Sequence, residues 1–284
     1  SFSPDITFLI LDTRSIFGDL FHFPYSVTQS ERENFVNKKI IEIINLITKF
    51  NETSDSKLVI TNLALPHYSP HGIAETKTNY SFHDAIIDFN KKLKENLLDI
   101  NSVYIFDFFK FVIKHGENNV FNFQNYLFGD IKISLDYIPY LANEFIPYII
   151  SFLGLTKKCI VVDLDNTLWG GIVGEDGFDG IRLGPQPPGN AFIEFQKYLK
   201  ALSQRGILLA INSKNNFDDA IQVIREHPFM ILKESDFSCI KINWNNKASN
   251  MLEISEELNI GLDSFVFFDD DPVNRELIKE NMPE

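Results

Sequence analysis

Cysteine is scarce in this sequence, because only Cys159 and Cys239 occur among 284 residues. Two thiols are too few for a disulfide framework, which excludes a small disulfide-stapled scaffold and favours a reducing, cytoplasmic setting. Long apolar runs are also missing: no stretch of about 18 uncharged apolar residues appears, so no transmembrane helix is predicted. The amino terminus lacks a basic region followed by a small-residue cleavage site, so no signal peptide is predicted either.

Positive charge is in deficit, with 26 Lys and Arg residues against 39 Asp and Glu residues and a net charge of −13. This balance argues against nucleic acid and anionic membranes as partners. The hydrophobic share of 44% is ample for a packed core, and the length predicts one large domain or two ordinary ones. A start at Ser1 without Met, and an end at "KENMPE", predict a piece of a longer protein.

Strand-like and helix-like segments alternate along both halves of the chain. In the first half we predict strands over 6–12, 57–63 and 102–108 and helices over 28–50, 81–97 and 134–153, the last bent or divided by its prolines. In the second half we predict strands over 159–163, 207–212, 229–232 and 265–269 and helices over 191–204, 217–226, 247–258 and 272–280. This alternation indicates two α/β units with parallel sheets, and residues 154–158 resemble a boundary.

Polar side chains follow the predicted strands of the second half. They are Asp163, Asp165 and Thr167 after the first strand, Asn212, Ser213, Lys214 and Asn215 after the second, Lys247 at a helix start, and Asp269, Asp270 and Asp271 after the last strand. Because parallel strands end at one edge of a sheet, we expect these groups to lie close together. Lone buried carboxylates are costly, so a cluster of them needs a partner.

A phosphoryl site with a hard cation would explain this set. Alternation along a strand makes Asp163 and Asp165 point the same way, and Mg²⁺ prefers such oxygen ligands. One carboxylate can attack phosphorus while the other transfers a proton. Hydroxyl groups can bond the phosphoryl oxygens, and an ammonium group can neutralise their charge. The predicted metal ligands are Asp163, Asp165, Asp269 and Asp270, and the predicted phosphate contacts are Thr167, Ser213, Lys214 and Lys247.

Each residue also has a plainer interpretation. The first two acids can be loop or capping residues, Ser213 can be a turn residue, and Lys247 can be a solvated helix start. Asp271 stands before Pro272, which is a standard helix opening, and we assign it to capping.

Residues 163–167, Asp-Leu-Asp-Asn-Thr, resemble the DxDxT motif of the haloacid dehalogenase (HAD) superfamily. Ser213, Lys247 and the adjacent Asp269 and Asp270 resemble its second, third and fourth motifs. The resemblance implies a HAD-type Rossmann-like parallel sheet and Mg²⁺-dependent phosphatase chemistry. It implies that Asp163 is nucleophile and ligand, and that Asp165 is acid/base and a ligand through its main-chain carbonyl.

The segments "KKCIVVDLDNTLWGGIVGEDG" and "NIGLDSFVFFDDDPVNRE" resemble the FkbH-like branch more narrowly, and the similarity covers nearly all of 154–284. The first half resembles, more loosely, the smaller SGNH-hydrolase-like α/β domain that precedes it in many members. No Gly-Asp-Ser motif is present, so that domain is expected to be non-catalytic. We therefore expect a domain over 1–154 and a catalytic domain over 155–284.

The resemblance to FkbH-like proteins implies glyceryl transfer in polyketide biosynthesis. The substrate would be 1,3-bisphosphoglycerate, which loses phosphate and is delivered as a thioester to the phosphopantetheine arm of an acyl carrier protein. A phosphatase acting on a small phosphorylated metabolite, without a carrier, is the alternative. A catalytically idle docking module is a third possibility, against which the intact motifs argue.

Three further expectations concern the surroundings of the site. Cys239 is a candidate acyl-accepting catalytic thiol or a small buried residue, whereas Cys159 is expected in the core. Trp169 and Gly170, with the loop to residue 177, are expected to form a substrate-contacting lid, unless Trp169 packs beneath that loop. Binding of acidic partners would need a basic patch, for which the candidates are Lys157, Lys158, Arg182, Lys214 and Lys241.

Overall fold

The computed structural model describes residues 3–282, and the chain forms two compact units, Ser1–Leu153 and Gly154–Glu284. Each unit has its own sheet of parallel strands with helices between them. This confirms the predicted α/β class. No helix in the described part of the chain is long and apolar enough to cross a membrane.

The first unit carries the smaller sheet, three parallel strands in the order β1-β2-β3. Its strands are β1 (Ile6–Leu9), β2 (Lys57–Thr61) and β3 (Val103–Phe106). Its helices are α1 (Thr13–Phe17), α2 (Gln29–Thr53), α3 (Phe82–Leu97), α4 (Phe108–His115), α5 (Glu117–Val120), α6 (Phe123–Gly129) and α7 (Ile138–Phe152). Capping boxes at Thr28 and Ser81 begin α2 and α3, as expected from the sequence.

The β2 strand shows how the first unit packs. Leu58 and Ile60 point into a core that contains the buried faces of α2 and α3, while Val59 points into a second core with α4 and α7. Alternating side chains thus bury both faces of the sheet. Pro147 lies inside α7 without dividing it.

The second unit has four parallel strands in the order β6-β5-β4-β7. They are β4 (Cys159–Val162), β5 (Leu208–Ser213), β6 (Cys239–Ile242) and β7 (Phe265–Phe268). The helices are α8 (Val173–Asp176), α9 (Gly189–Gln204), α10 (Phe217–Glu226), α11 (Lys247–Leu258) and α12 (Pro272–Asn281). Every residue of β4 is buried, so the strand that leads to the first acidic residues is central to the sheet.

One predicted strand, over 229–232, is wrong. Met230 and Leu232 are buried there, but the backbone N–H groups of Ile231 and Leu232 donate to Gln196 Oε1 at 2.9 and 3.2 Å. A side-chain amide therefore replaces a neighbouring strand, and an apolar run alone did not distinguish the two. The strand that pairs with β5 at one edge of the sheet is instead β6, which the sequence analysis missed.

Candidate active site

Two buried acids follow adjacent strands at the carboxyl edge of the second sheet. Asp163 follows β4, and its backbone N–H donates to Phe268 O at 2.9 Å, which extends the ladder with β7 by one residue. Asp269 follows β7, and both acids are only 7% exposed. The sheet therefore holds two carboxylates side by side with little water.

Lys247 joins these two carboxylates. Its Nζ lies 3.0 Å from Asp163 Oδ1 and 2.6 Å from Asp269 Oδ2, and the residue is 1% exposed. The interpretation of Lys247 as a solvated helix start is wrong. A buried ammonium group is tolerated only when it is paired, and here it bridges two anions.

Two buried amides hold the start of α11 in place. Asn212 Nδ2 donates to Lys247 O at 2.9 Å, and Asn250 Nδ2 donates to Asn212 Oδ1 at 3.0 Å. Both asparagines are fully buried. The sequence analysis missed Asn250, although its position three residues after Lys247 on a helix is a signal that the two share a face.

The carboxylate of Asp163 is incompletely satisfied. Its Oδ1 is buried and accepts no well-aligned hydrogen bond among residues 3–282, although the Lys247 ammonium lies 3.0 Å away. Burial raises the pKa of Asp163 above its ordinary value, and the Lys247 charge and the Ser213 hydroxyl oppose that rise. A buried oxygen with unused acceptor capacity is available to a ligand.

A group that could hold a metal ion is present at this edge. Asp163, Asp269 and Asp270 each offer one oxygen, and these atoms lie within 4.8 Å of one another. Asp269 has partners on both of its carboxylate oxygens. Its Oδ1 accepts from Asp271 N at 2.9 Å and from Asn274 Nδ2 at 3.3 Å, and its Oδ2 pairs with Lys247. Asp270 is exposed, and its carboxylate has no hydrogen bond within the described residues.

Asp165 is oriented by three donors. Its Oδ1 accepts from Trp169 Nε1 at 2.9 Å and from Val173 N at 3.0 Å, and its Oδ2 accepts from Asn215 Nδ2 at 2.9 Å. The carboxylate is thereby held as an acceptor in one orientation, with partial exposure to solvent. The sequence placed Asn215 at this edge, two residues after the end of β5, without assigning it a role.

Trp169 is not part of a lid: it is fully buried and packs in a core that also contains Val173 of the loop, which is the alternative that the sequence analysis left open. Gly170 is also structural: its backbone pairs with Arg182 at 3.1 and 2.7 Å, and an added Cβ would lie 2.9 Å from the Phe192 ring. Neither residue presents a surface to a substrate. Trp169 acts on the site through its indole N–H, which holds Asp165.

The remaining predicted contacts differ in exposure. Ser213 ends β5 and is 1% exposed, so it is not a turn residue, and its Oγ accepts from Asn215 Nδ2 at 3.1 Å. Thr167 lies partly exposed in the turn after β4, and Lys214 is exposed. Asp271 caps α12 by accepting from Val273 N at 2.9 Å, as predicted.

Arg275 is a second residue that the sequence analysis missed. Its Nη1 donates to the backbone carbonyls of Asp269 and Asp270 at 2.6 and 2.7 Å. One guanidinium therefore fixes the backbone of both acids after β7. Arg275 stands one helical turn after Asp271, the cap residue of α12, and this position was the available signal that it could reach back to the preceding loop.

Cys239 does not lie at the pocket rim. It is the first residue of β6, so it lies at the opposite end of that strand from the acidic edge, and it is 3% exposed. Burial and a hydrogen bond with Glu257 raise the pKa of its thiol to about 11. Cys159 is fully buried at the start of β4, as expected, and burial raises the pKa of its thiol to about 12.

The five basic candidates do not form one patch at this edge. Lys157 and Lys158 precede β4 and so lie at its other end. Lys241 is neutralised by two glutamates of α11, Glu253 and Glu257, each 3.1 Å away. Of the other two, both exposed, Arg182 pairs through its backbone with Gly170, and Lys214 follows Ser213 in sequence.

Comparisons with known proteins give two likenesses. The family described as FkbH, N-terminal domain, matches residues 11–150. The crystal structure of the N-terminal part of protein BF1531 from Bacteroides fragilis, which contains a phosphatase domain and is complexed with Mg, is 32% identical in sequence. The alignment covers 99% of this chain and 73% of that one, with a TM-score of 0.81. No curated protein sequence matches closely enough to count as a relative.

Proposed function

This chain belongs to the FkbH family, and we propose that it is a Mg²⁺-dependent phosphatase-type enzyme acting at the carboxylate site of its second unit. One observation carries this proposal: Asp163 is a buried acid whose Oδ1 accepts no aligned hydrogen bond, lies 3.0 Å from the Lys247 ammonium, and clusters with two further carboxylates. A buried carboxylate beside an ammonium group and further carboxylates is an arrangement that can bind a metal cation and react with a phosphate group. The Mg-bound phosphatase domain of the B. fragilis relative supports the same reaction class.

The residues present fit a magnesium ion. The carboxylates of Asp163 and Asp270 would hold it, with the main-chain carbonyl of Asp165, while Asp269 is paired with Lys247. All of these donors are oxygen, the ligand type that Mg²⁺ requires. When bound, the ion supplies positive charge beside the phosphoryl oxygens.

The first chemical step is an in-line displacement at phosphorus by Asp163. Its carboxylate oxygen forms a bond to phosphorus while the bond from phosphorus to the leaving oxygen breaks, which gives an aspartyl-phosphate. Protonated Asp165 donates its proton to the leaving oxygen. Ser213, Thr167 and Lys247 bond or neutralise the phosphoryl oxygens as their charge is redistributed.

The second step regenerates the enzyme. Asp165, now a carboxylate, accepts a proton from water as the water oxygen bonds to phosphorus, and the bond from phosphorus to Asp163 breaks. Inorganic phosphate leaves, and Asp165 is protonated again. Trp169, Val173 and Asn215 keep its oxygens in one orientation for both transfers.

The substrate we propose is 1,3-bisphosphoglycerate, with the glyceryl group delivered to an acyl carrier protein of polyketide biosynthesis. The thiolate of the carrier's phosphopantetheine arm attacks the acyl carbon, the carbon–sulfur bond forms, and the acyl phosphate leaves as phosphate. The hydrolytic site removes the other phosphate. Burial of Cys159 and Cys239 supports direct attack by the carrier's own thiol.

Intact-mass spectrometry of carrier proteins tests this proposal. The protein, Mg²⁺, 1,3-bisphosphoglycerate and a panel of carriers with their phosphopantetheine arms are incubated together. We expect the added mass of one glyceryl group on one carrier. The matched controls are the same carriers without the arm, a reaction with chelator, and Asp163→Asn. If no phosphate is released and no carrier adduct forms, both proposed enzymatic roles are contradicted.

Hydrolysis of a small phosphorylated metabolite without a carrier is the second candidate. The observation that favours it is electrostatic: the protein is net −13, and the basic candidates do not gather at the site. An acidic carrier would dock poorly on such a surface. Phosphate release without any carrier adduct would select this function over the first.

A further inference from the structure

A depression opens beside the candidate active site, at the carboxyl ends of β5 and β6. Asn215, Phe217, Ile242 and Trp244 are among the residues that line it, and its space is about 490 Å³. That size lies within the range of small-molecule sites. None of the steps proposed above uses this space.

Asn215 connects the depression to the chemistry. It lines the depression, and its Nδ2 donates to Asp165 Oδ2 at 2.9 Å and to Ser213 Oγ at 3.1 Å. Asp165 is the residue proposed to protonate the leaving oxygen. The body of the leaving group must therefore begin next to Asp165, and the depression is the adjoining open space.

The walls of the depression include two solvent-exposed aromatic rings. Trp244 is 70% exposed and Phe217 is 47% exposed. Trp244 Nε1 donates to Asn216 Oδ1 at 3.1 Å, which fixes the edge of the indole while its surface stays in solvent. A ring that is held in place gives a flat contact surface at little entropic cost.

Charge on the lining selects against anions. Asp218 and Asp219, in the first turn of α10, line the depression, and no basic side chain does so among the described residues. A second phosphate or a carboxylate would be repelled there, so the depression does not suit the acyl phosphate of free 1,3-bisphosphoglycerate and favours the hydrolytic candidate function. An uncharged planar or apolar group would be accepted.

We infer that this depression is the leaving-group subsite of the enzyme, that it binds the uncharged organic part of a phosphate ester, and that Trp244 is a specificity-determining contact. The inference rests on the proposed phosphatase function, in which Asp165 protonates the leaving oxygen. It adds a contact outside the carboxylate cluster, which would decide which esters are accepted rather than whether they react.

Steady-state kinetics with matched variants test the inference. Trp244→Ala is compared with Tyr198→Ala, an aromatic on α9 that is also 70% exposed but does not line the depression. The substrates are para-nitrophenyl phosphate and glycerol 3-phosphate, both with Mg²⁺. Loss of a stacking contact should raise KM for the aryl ester by about tenfold in Trp244→Ala, with kcat nearly unchanged. Tyr198→Ala should match the wild type with both esters.

Fluorescence quenching supplies a readout that needs no turnover. Since the sequence has two tryptophans and Trp169 is fully buried, collisional quenching by acrylamide reports mainly on Trp244. Benzylphosphonate with Mg²⁺ should protect Trp244 in the wild type, and phosphate with Mg²⁺ should protect it less.

The two measurements separate the subsite from the function. An unchanged KM in Trp244→Ala, or equal quenching with and without benzylphosphonate, would overturn the subsite while leaving the phosphatase in place. Protection of Trp244 in a protein that hydrolyses neither ester would support the subsite and contradict the proposed function.

Discussion

Both units place acids just beyond the carboxyl ends of parallel strands, but use them differently. In the first unit Asp12 Oδ2 accepts from Ser15 N, Ser15 Oγ and Tyr126 OH at 2.8, 2.7 and 3.0 Å. Asp107 likewise accepts from Lys110 N at 3.1 Å. In the second unit Asp163 Oδ1 is buried and accepts no aligned hydrogen bond, although the Lys247 ammonium lies 3.0 Å away. The acids of the first unit thus hold local structure, whereas Asp163 faces a buried cation.

The cause of this difference is where the next helix begins. Asp12 and Asp107 are the N-caps of α1 and α4, so their carboxylates satisfy the free N–H groups of those helices. After β4 the chain instead enters a turn, and the N–H that returns, from Val173, reaches Asp165. Asp163 is therefore not required for capping and can face Lys247.

The largest expected effect separates these two acids by activity. Asp163→Asn should lower kcat for Mg²⁺-dependent hydrolysis of para-nitrophenyl phosphate by at least about 1,000-fold, since the nucleophile is removed. Asp12→Asn in the first unit should keep wild-type kcat. Equal losses in the two variants, or none in either, would break the comparison between the units.

A large effect on stability is expected from the buried cation. Lys247→Met leaves two adjacent carboxylates without their bridge and should lower the free energy of unfolding by about 3 kcal/mol. Mg²⁺ should recover part of that loss, because it binds the native acids. Lys92→Met, which breaks the more exposed Lys92–Asp88 pair of 2.7 Å in the first unit, should cost less than about 1 kcal/mol. Urea unfolding with and without Mg²⁺ measures both, and equal losses would contradict the bridging role.

A smaller effect should come from removing the aromatic side-chain donors to the strand-end acids. Trp169→Phe keeps most of the apolar volume but removes the N–H to Asp165, so kcat should fall by about tenfold with little change in KM. Tyr126→Phe removes the corresponding O–H to Asp12 and should leave kcat unchanged. The thermal midpoint of each variant shows whether the fold is intact, and a fall in kcat that tracks stability in both would argue against positioning.

The smallest effect is expected from the amino ends of the strands. Because Cys239 lies away from the acidic edge, Cys239→Ala should release phosphate at the wild-type rate. With the pKa of its thiol raised from 9.0 to about 11, the native state holds this proton more tightly than the unfolded state. Its contribution to stability is complete below pH 9 and is lost as the pH rises toward about 11. Between pH 9 and about 11, the free energy of unfolding should decrease less with pH in Cys239→Ala than in the wild type. A loss of activity in this variant would instead make the thiol a candidate catalytic group again.

Local signals predicted much of the fold. The helices expected over 217–226 and 247–258 coincide with α10 and α11, and the cap at Asp271 is present. Such features depend on neighbouring residues, as period and capping do. The strand expected over 229–232 failed because burial of an apolar segment does not reveal whether a strand or the Gln196 side chain satisfies its N–H groups.

The site was predictable in its members but not in its contacts. Asp163, Lys247 and Asp269 meet at the expected edge, and Asp270 joins their oxygen cluster. The roles of Trp169 and Cys239 were not readable, because each depends on which way a segment faces once it is packed. Asn250 and Arg275 were missed for the same reason, and Asn212 and Asn215 were placed at the edge without their contacts.

By itself the sequence determined the parallel α/β class, the order of the acidic and basic motif residues, and their arrival at strand ends. Those properties follow from local periodicity, turn chemistry and the geometry shared by all parallel sheets. Only the tertiary structure decided that Lys247 is a buried bridge and that Asp163 Oδ1 faces it without an aligned hydrogen bond. It also decided that Trp169 is a buried donor while Trp244 is exposed beside the depression. These outcomes depend on the strand order β6-β5-β4-β7, which brings together residues far apart in the chain, and no local pattern specifies such pairings.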